Sequence, residues 1–218
     1  MTTVLLIRHG RSVANAQGVL AGRSDTALDD AGREQARVLG ERLRDVPLDL
    51  LVASPQARAQ QTAELVAGAR AQMQIDEHFA ECDYGDWSGA ALSELALEPA
   101  WETVQWLPSA AQFPAGETMA QMAHRATHGV QQLVRARPDD FIWVVTHGDI
   151  IKAILADALG VHLDHFQRII VDTASVSVVH YGGKRPFVEK VNDTGAIRLA
   201  RKPEEKGSDA VVGGESSQ

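Results

Sequence analysis

Arg8-His9-Gly10 closes the apolar run Val4-Leu5-Leu6-Ile7, and His147-Gly148-Asp149 closes a second, Ile142-Trp143-Val144-Val145-Thr146. A short apolar run ended by a glycine-bearing turn reads as a buried strand, and open α/β sheets bind ligands at the carboxyl ends of such strands. Two histidines and an arginine are thereby delivered to one crest. Neutral imidazole is a competent nucleophile near neutral pH, its unperturbed pKa being about 6.5. Arg8 and Arg58 can each present planar donor pairs to phosphate oxygens, a geometry that lysine does not reproduce. Displacement at phosphorus through a covalent intermediate needs a nucleophile, a cationic clamp and an acid for the departing oxygen. His9 fits the first role, and His147 supplies a further donor where charge develops. For the acid, the loop Glu81-Cys82-Asp83-Tyr84-Gly85-Asp86-Trp87-Ser88-Gly89 offers Glu81, Asp83 and Asp86. A carboxyl in partly dry surroundings has a raised pKa and keeps its proton long enough to donate it. Spacing alone does not choose among the three.

Alternating strand and helix signals set these residues in place. Behind Asp29 and Asp30, whose charges suit a helix amino end, Ala36, Leu39, Gly40 and Leu43 recur at helical spacing. Asp49 to Ala53 reads as a second buried strand, and Ser54-Pro55 reads as a capping residue followed by proline at the first helical position, which starts a helix through about Val66 and carries Arg58 in its first turns. From Glu117 to Arg135, Met119, Met122, Ala126, Val130 and Leu133 share one face of an amphipathic helix. Ile150 to Leu159 continues as a helix stopped by Gly160. Arg168–Asp172, Ser175–Tyr181 and Phe187–Val191 read as late strands, with Gly182-Gly183 turning between the last two. The order predicts an α/β fold, a three-layer α/β/α sandwich with a mostly parallel central sheet. The stretch from Trp87 to Gly116, with Pro99, Pro108 and Pro114, reads as an irregular insertion of the kind that shapes substrate pockets.

Composition narrows the partners. The 218 residues suit one domain, expected over 1–200, and the Lys, Glu, Gly and Ser of 201–218 read as a mobile tail. A formal charge of −8 argues against nucleic acid or an anionic membrane as partner, since both need a basic footprint. Cys82 is the single cysteine, so no intrachain disulfide forms. The apolar run after Met1 is shorter than the roughly 7–15 residues of a secretory leader, and nothing approaches the ~18 continuous apolar residues of a membrane span. A cytoplasmic protein is expected, and oligomeric state is not legible.

In motif order the chain resembles the histidine phosphatase superfamily, the phosphoglycerate mutase-like group. The motifs are Leu6-Ile7-Arg8-His9-Gly10, then Ser54-Pro55-Gln56-Ala57-Arg58-Ala59-Gln60-Gln61-Thr62-Ala63, then the glutamate loop, then Val145-Thr146-His147-Gly148, covering most of residues 3–180. The resemblance implies that His9 is phosphorylated, that Arg8, Arg58 and His147 hold the phosphoryl group, and that Glu81 is the proton donor. It further suggests Asn15 as a phosphate contact and the loop Gly22-Arg23-Ser24 as pocket rim, with no metal and no cofactor. Where the phosphoglycerate mutases carry Arg-His after the glutamate and a lysine beyond it, this chain has Cys82-Asp83 and Leu92. The expectation is therefore a metal-independent phosphomonoester hydrolase acting on a small phosphorylated metabolite. A phosphomutase, or a degenerate member that binds a phosphorylated ligand without turnover, is the alternative.

Other residues have plainer readings. Arg11 and Arg23 are candidates for substrate binding, with solvent exposure as the alternative. His124 and His128 stand at the i, i+4 spacing of a metal pair but project opposite the apolar helix face, so exposure is expected. Cys82 reads as a small loop filler. Trp87, Trp101 and Trp106 suit either pocket or core.

Overall fold

In the computed structural model, which describes residues 1–195, the first apolar run forms strand β1 (Thr2–Arg8) at the middle of a six-stranded sheet. Helix α1 (Val13–Gln17) and helix α2 (Asp30–Leu43) follow, the latter capped by the Asp29 carboxylate on the Gly32 amide at 2.7 Å. Strand β2 (Leu50–Ala53) leads to α3 (Ala57–Ala67) and a short edge strand β3 (Met73–Ile75). Helices α4 (Leu92–Leu95) and α5 (Pro99–Trp106) lie in the insertion. Then come α6 (Met119–Ala136), β4 (Phe141–Thr146), α7 (Gly148–Leu159), β5 (Val176–Tyr181) and β6 (Phe187–Asp193).

The sheet order is β3-β2-β4-β1-β5-β6, and β5 alone runs against its neighbours. This is the mostly parallel α/β/α sandwich expected from the sequence. Strand alternation builds its two cores: Val4, Leu6, Val52 and Val144 pack on one face with α6 and α7, while Leu5, Ile7, Leu51 and Trp143 pack on the other with α2 and α3. Helices fed by β1 and β4 therefore cover opposite faces, which opens a crevice at the carboxyl ends of these adjacent strands.

Local details differ from expectation. The helix carrying Arg58 starts after Gln56, not at Ser54-Pro55, because the Ser54 hydroxyl is engaged across the sheet by His147. Residues 168–172 are not a strand: a 3-10 turn over Leu163–Arg168 takes in the first of them, and the Arg8 guanidinium takes the Val171 carbonyl that a ladder would use. The 87–116 insertion is more regular than its prolines suggest, with Pro99 opening α5. Trp87 packs edge-on against Phe113, whereas Trp106 is 77% exposed. The domain limit expected at 200 and the tail expected over 201–218 lie outside the described residues. No helix among the described residues is long and apolar enough to cross a membrane.

Candidate functional site

Register puts the site together. Arg8 pairs with Thr146 and Ala53 with Val145, so His9, His147 and Ser54 each stand one residue past the end of an aligned strand. The rings of His9 and His147 meet edge to face with centroids 5.1 Å apart. Close approach at Gly10 fixes the turn that follows: a Cβ there would lie 2.4 Å from the Gly32 carbonyl oxygen, at the start of α2. The Gly10 amide donates to Thr62 Oγ1, and that hydroxyl donates to the Arg58 carbonyl one helical turn back.

His9 is 3% exposed, and its protonation is determined by its partners. Nδ1 lies 2.7 Å from the Gly10 carbonyl, which only accepts, so Nδ1 carries the hydrogen. Nε2 accepts from Arg58 Nε at 3.3 Å and so presents a lone pair. Burial, then the Arg58 and Arg8 charges, push the imidazole pKa well below its usual value and keep the ring neutral. Arg58 is 1% exposed and clamped in place, donating to the carbonyls of Gly22 at 2.7 Å and Ser24 at 3.0 Å.

A second deduction fixes His147. The Glu81 backbone N–H reaches the Gln56 side-chain amide at 3.1 Å and demands an acceptor, which identifies the contacting atom as oxygen. That oxygen is 3.1 Å from His147 Nε2, so Nε2 is the protonated nitrogen. Ser54 Oγ donates to the same oxygen at 2.6 Å and accepts from Nε2 at 2.6 Å. His147 Nδ1 is left buried with a free lone pair, 3.7 Å from Glu81 Oε2. Burial foremost, with Arg58 next, lowers its pKa as well.

Of the three carboxyls in the glutamate loop, Glu81 alone lines the cleft around His9, which encloses about 200 Å³. Its Oε1 accepts from the Cys82 amide at 3.0 Å. Burial and then the nearby Asp149 carboxylate raise its pKa to about 7, against the opposing pull of Arg58. Such a carboxyl still holds its proton when the imidazole beside it has none.

The cleft brings together Arg8, His9, Arg58, Glu81, Asn15 and Gly22 from the sequence reading, with Gly148 at the amino end of α7 beside them. His147 adjoins through its contacts with His9 and Glu81. Arg8 Nε is buried without an acceptor, and the first amides of α7 have no side-chain cap; both suit an anion. Asn15 Oδ1 is engaged by the Ser12 amide and hydroxyl, leaving its NH2 to offer. Arg11 lies outside the cleft, bonded to Asp29 at 2.6 Å. Arg23 lines an adjoining groove and donates to the Glu81 carbonyl at 3.2 Å. His124 and His128 are exposed, and no cluster of metal-ligating side chains occurs among the described residues. Cys82 is fully buried, with its thiol pKa pushed up by burial. Sequence reasoning gave no role to Gln56, Tyr84 and Asp149, although they lie inside the quoted motifs, nor to Lys152, which follows the last of them.

A model of the histidine phosphatase superfamily (branch 1) matches residues 4–194. The chain belongs to this superfamily. Within the superfamily it is 30% identical to phosphoserine phosphatase 1 of Hydrogenobacter thermophilus, over 89% of this chain and 93% of that protein. It is 33% identical to the uncharacterized phosphatase PhoE of Bacillus subtilis, over 73% of this chain and 79% of that protein. Among solved structures, Bacillus stearothermophilus YhfR superposes with a TM-score of 0.85 at 30% identity, covering 91% of this chain and all of that one. These phosphatase relatives support a phosphatase.

Proposed function

We propose that the protein hydrolyses small phosphomonoesters through a phosphohistidine at His9, without a metal ion. The observation that carries this reading is the set of uncommitted buried atoms around His9 Nε2: a donor without an acceptor at Arg8 Nε, and a lone pair at His147 Nδ1 facing a protonatable Glu81. A phosphoryl oxygen placed there supplies the acceptor that Arg8 Nε lacks, and bonds His147 once Nδ1 has taken a proton.

In the first step His9 Nε2 forms a bond to phosphorus as the bond to the leaving oxygen breaks, and the Glu81 proton passes to that oxygen. In the second, the Glu81 carboxylate takes a proton from water as its oxygen bonds to phosphorus and the N–P bond breaks. Phosphate is released, and both residues return to their starting states. Arg8 and Arg58 supply the fixed positive charge that steadies the equatorial oxygens in both steps. A cleft of about 200 Å³ is smaller than the ~300–1,000 Å³ of drug-sized sites, which suits a small metabolite. Leu92 lines this cleft and Cys82 is buried at positions where the mutases carry cations, so retention of a bisphosphorylated intermediate is not supported.

The test is labelling with a radiolabelled phosphomonoester, quenched in alkaline detergent. Native protein is expected to carry base-stable, acid-labile label and to release phosphate in the presence of EDTA. His9→Ala is expected to take up no label and to lose turnover by at least about 10³-fold. Label persisting in His9→Ala would sink the assignment.

A further inference from the structure

Beyond the reacting centre, the cleft carries two opposite charges to which the chemistry above gives no contact with substrate, although Asp149 helps to raise the Glu81 pKa. Asp149 and Lys152 project from the first turns of α7, with Lys152 Nζ 3.3 Å from Asp149 Oδ1. Both line the same cleft as His9. The Tyr84 hydroxyl donates to Asp149 Oδ2 at 2.8 Å, and Lys152 also donates to Gln167 Oε1 at 2.9 Å. From these contacts we propose that Asp149 and Lys152 form a leaving-group subsite for a zwitterion, so that the preferred substrates are free O-phospho-amino acids. This rests on the hydrolytic reading given above.

Three observations converge on it. The first is direction. His9 and Arg58 are 3% and 1% exposed, while the side chains of Asp149 and Lys152 are 21% and 19% exposed. In-line attack places the leaving oxygen across phosphorus from His9 Nε2, so the remainder of the substrate runs toward the more exposed pair.

The second is unused capacity. A carboxylate has about four acceptor sites and an ammonium three donors. Asp149 uses two of the former and Lys152 two of the latter, so each has room for one partner from the ligand. An α-ammonium on Asp149 and an α-carboxylate on Lys152 would close a ring of four alternating charges.

The third is discrimination against single charges. An anionic leaving group such as glycerate meets Lys152 but brings its carboxylate beside Asp149. An amine such as ethanolamine meets Asp149 but sets its ammonium beside Lys152. Only a leaving group with both charges on one carbon satisfies both side chains without introducing a like-charge contact. The acyl and amide groups of a phosphopeptide have neither charge, so the subsite separates the free amino acid from a modified protein.

The experiment compares kcat/KM of the native protein for O-phospho-L-serine, N-acetyl-O-phosphoserine, O-phosphoethanolamine, 3-phosphoglycerate and p-nitrophenyl phosphate. Phosphoserine is expected to exceed each of the singly charged relatives by about tenfold or more, the size of one charge-assisted contact. Asp149→Asn is expected to erase the advantage over N-acetyl-phosphoserine, and Lys152→Met the advantage over phosphoethanolamine, each read as a ratio of substrates within one variant. The native panel needs no variant to fold. Ratios within about twofold across the panel, with p-nitrophenyl phosphate turned over and His9 labelled, would overturn the subsite and leave the hydrolytic reading standing. Failure to hydrolyse any substrate or to label His9 would instead overturn the reading beneath it.

Discussion

The side-chain oxygen of Gln56 decides where one proton sits. It gathers the Glu81 amide, the Ser54 hydroxyl and His147 Nε2, and so turns the lone pair of His147 Nδ1 toward the carboxyl of Glu81. A phosphoryl oxygen can bond that nitrogen only after it takes a proton, which makes His147 a cation when an anion is present to need one. Gln56→Leu keeps the bulk and removes the acceptor. We expect kcat to fall by about 10–100-fold with a smaller change in KM, the range found when second-layer partners of a functional histidine are lost. Nitrogen NMR should report the Nε2-protonated tautomer of His147 in the native protein and a mixture in the variant; an unchanged tautomer with kcat within twofold would reject the role. The motifs made His9, Arg8, Arg58 and His147 legible because each sits at a strand end or helix start with a local signature. Gln56 lies inside a motif, but two of its three partners stand 25 and 91 residues away along the chain, so no local pattern gave it a role.

At the level of elements, the acid is positioned by a strap that no periodicity announces. Arg125 reaches from α6 to the carbonyls of His78, Ala80 and Glu81, and closes a two-pronged pair with Glu117 at 2.7 and 3.1 Å. Burial works against charge on Glu117, yet the Arg125 hydrogen bonds hold its carboxyl below the usual range. Arg125→Met leaves that carboxylate only the Asp83 amide and Arg23, and takes a donor from three carbonyls. We expect a loss of about 2 kcal/mol in denaturant midpoint analysis, below the 3–5 of fully buried pairs because both side chains retain some exposure, together with a lower kcat from a loosened Glu81. Unaltered stability would show that the strap is not structural. The amphipathic face of α6 is legible from Met119, Met122, Ala126 and Val130, but that pattern gives Arg125 no role. The central strands and long helices were legible for the same reason, each having a continuous apolar run or stripe. Edge strand β3 and the short helices of the insertion were not, because half-exposed elements of three to eight residues carry too few apolar positions to set a period.

For the molecule as a whole, the cost of the site is written in its pH dependence. Glu81 in the folded chain keeps its proton up to about 7, whereas a carboxyl in the unfolded chain releases it near 4.5. Between those values the folded state binds more protons, so this group's contribution to stability falls as pH rises and stays depressed above about 7. His9 and His147, with lowered pKa values, act in the opposite sense: the folded state binds fewer protons below 6.5, so their contribution rises with pH and is flat above that value. At pH 8 only the Glu81 deficit persists. Glu81→Gln replaces an anion held among desolvated groups by a neutral isostere. It is expected to stabilise the protein by about 2 kcal/mol at pH 8 and by much less at pH 5, where the native carboxyl is already protonated. For a chain of this size that is a Tm gain of about 5 °C appearing only on the alkaline side. Turnover should move the other way. Native kcat/KM is expected to decline as pH rises through about 7, because the leaving oxygen then finds no acid, and Glu81→Gln should lose most of its activity together with that limb. Thermal melts and rate profiles on both proteins across the same pH series check the two trends together. A variant equally stable at pH 5 and pH 8 relative to native protein would mean that Glu81 is not the group whose burial the fold tolerates for the sake of proton transfer.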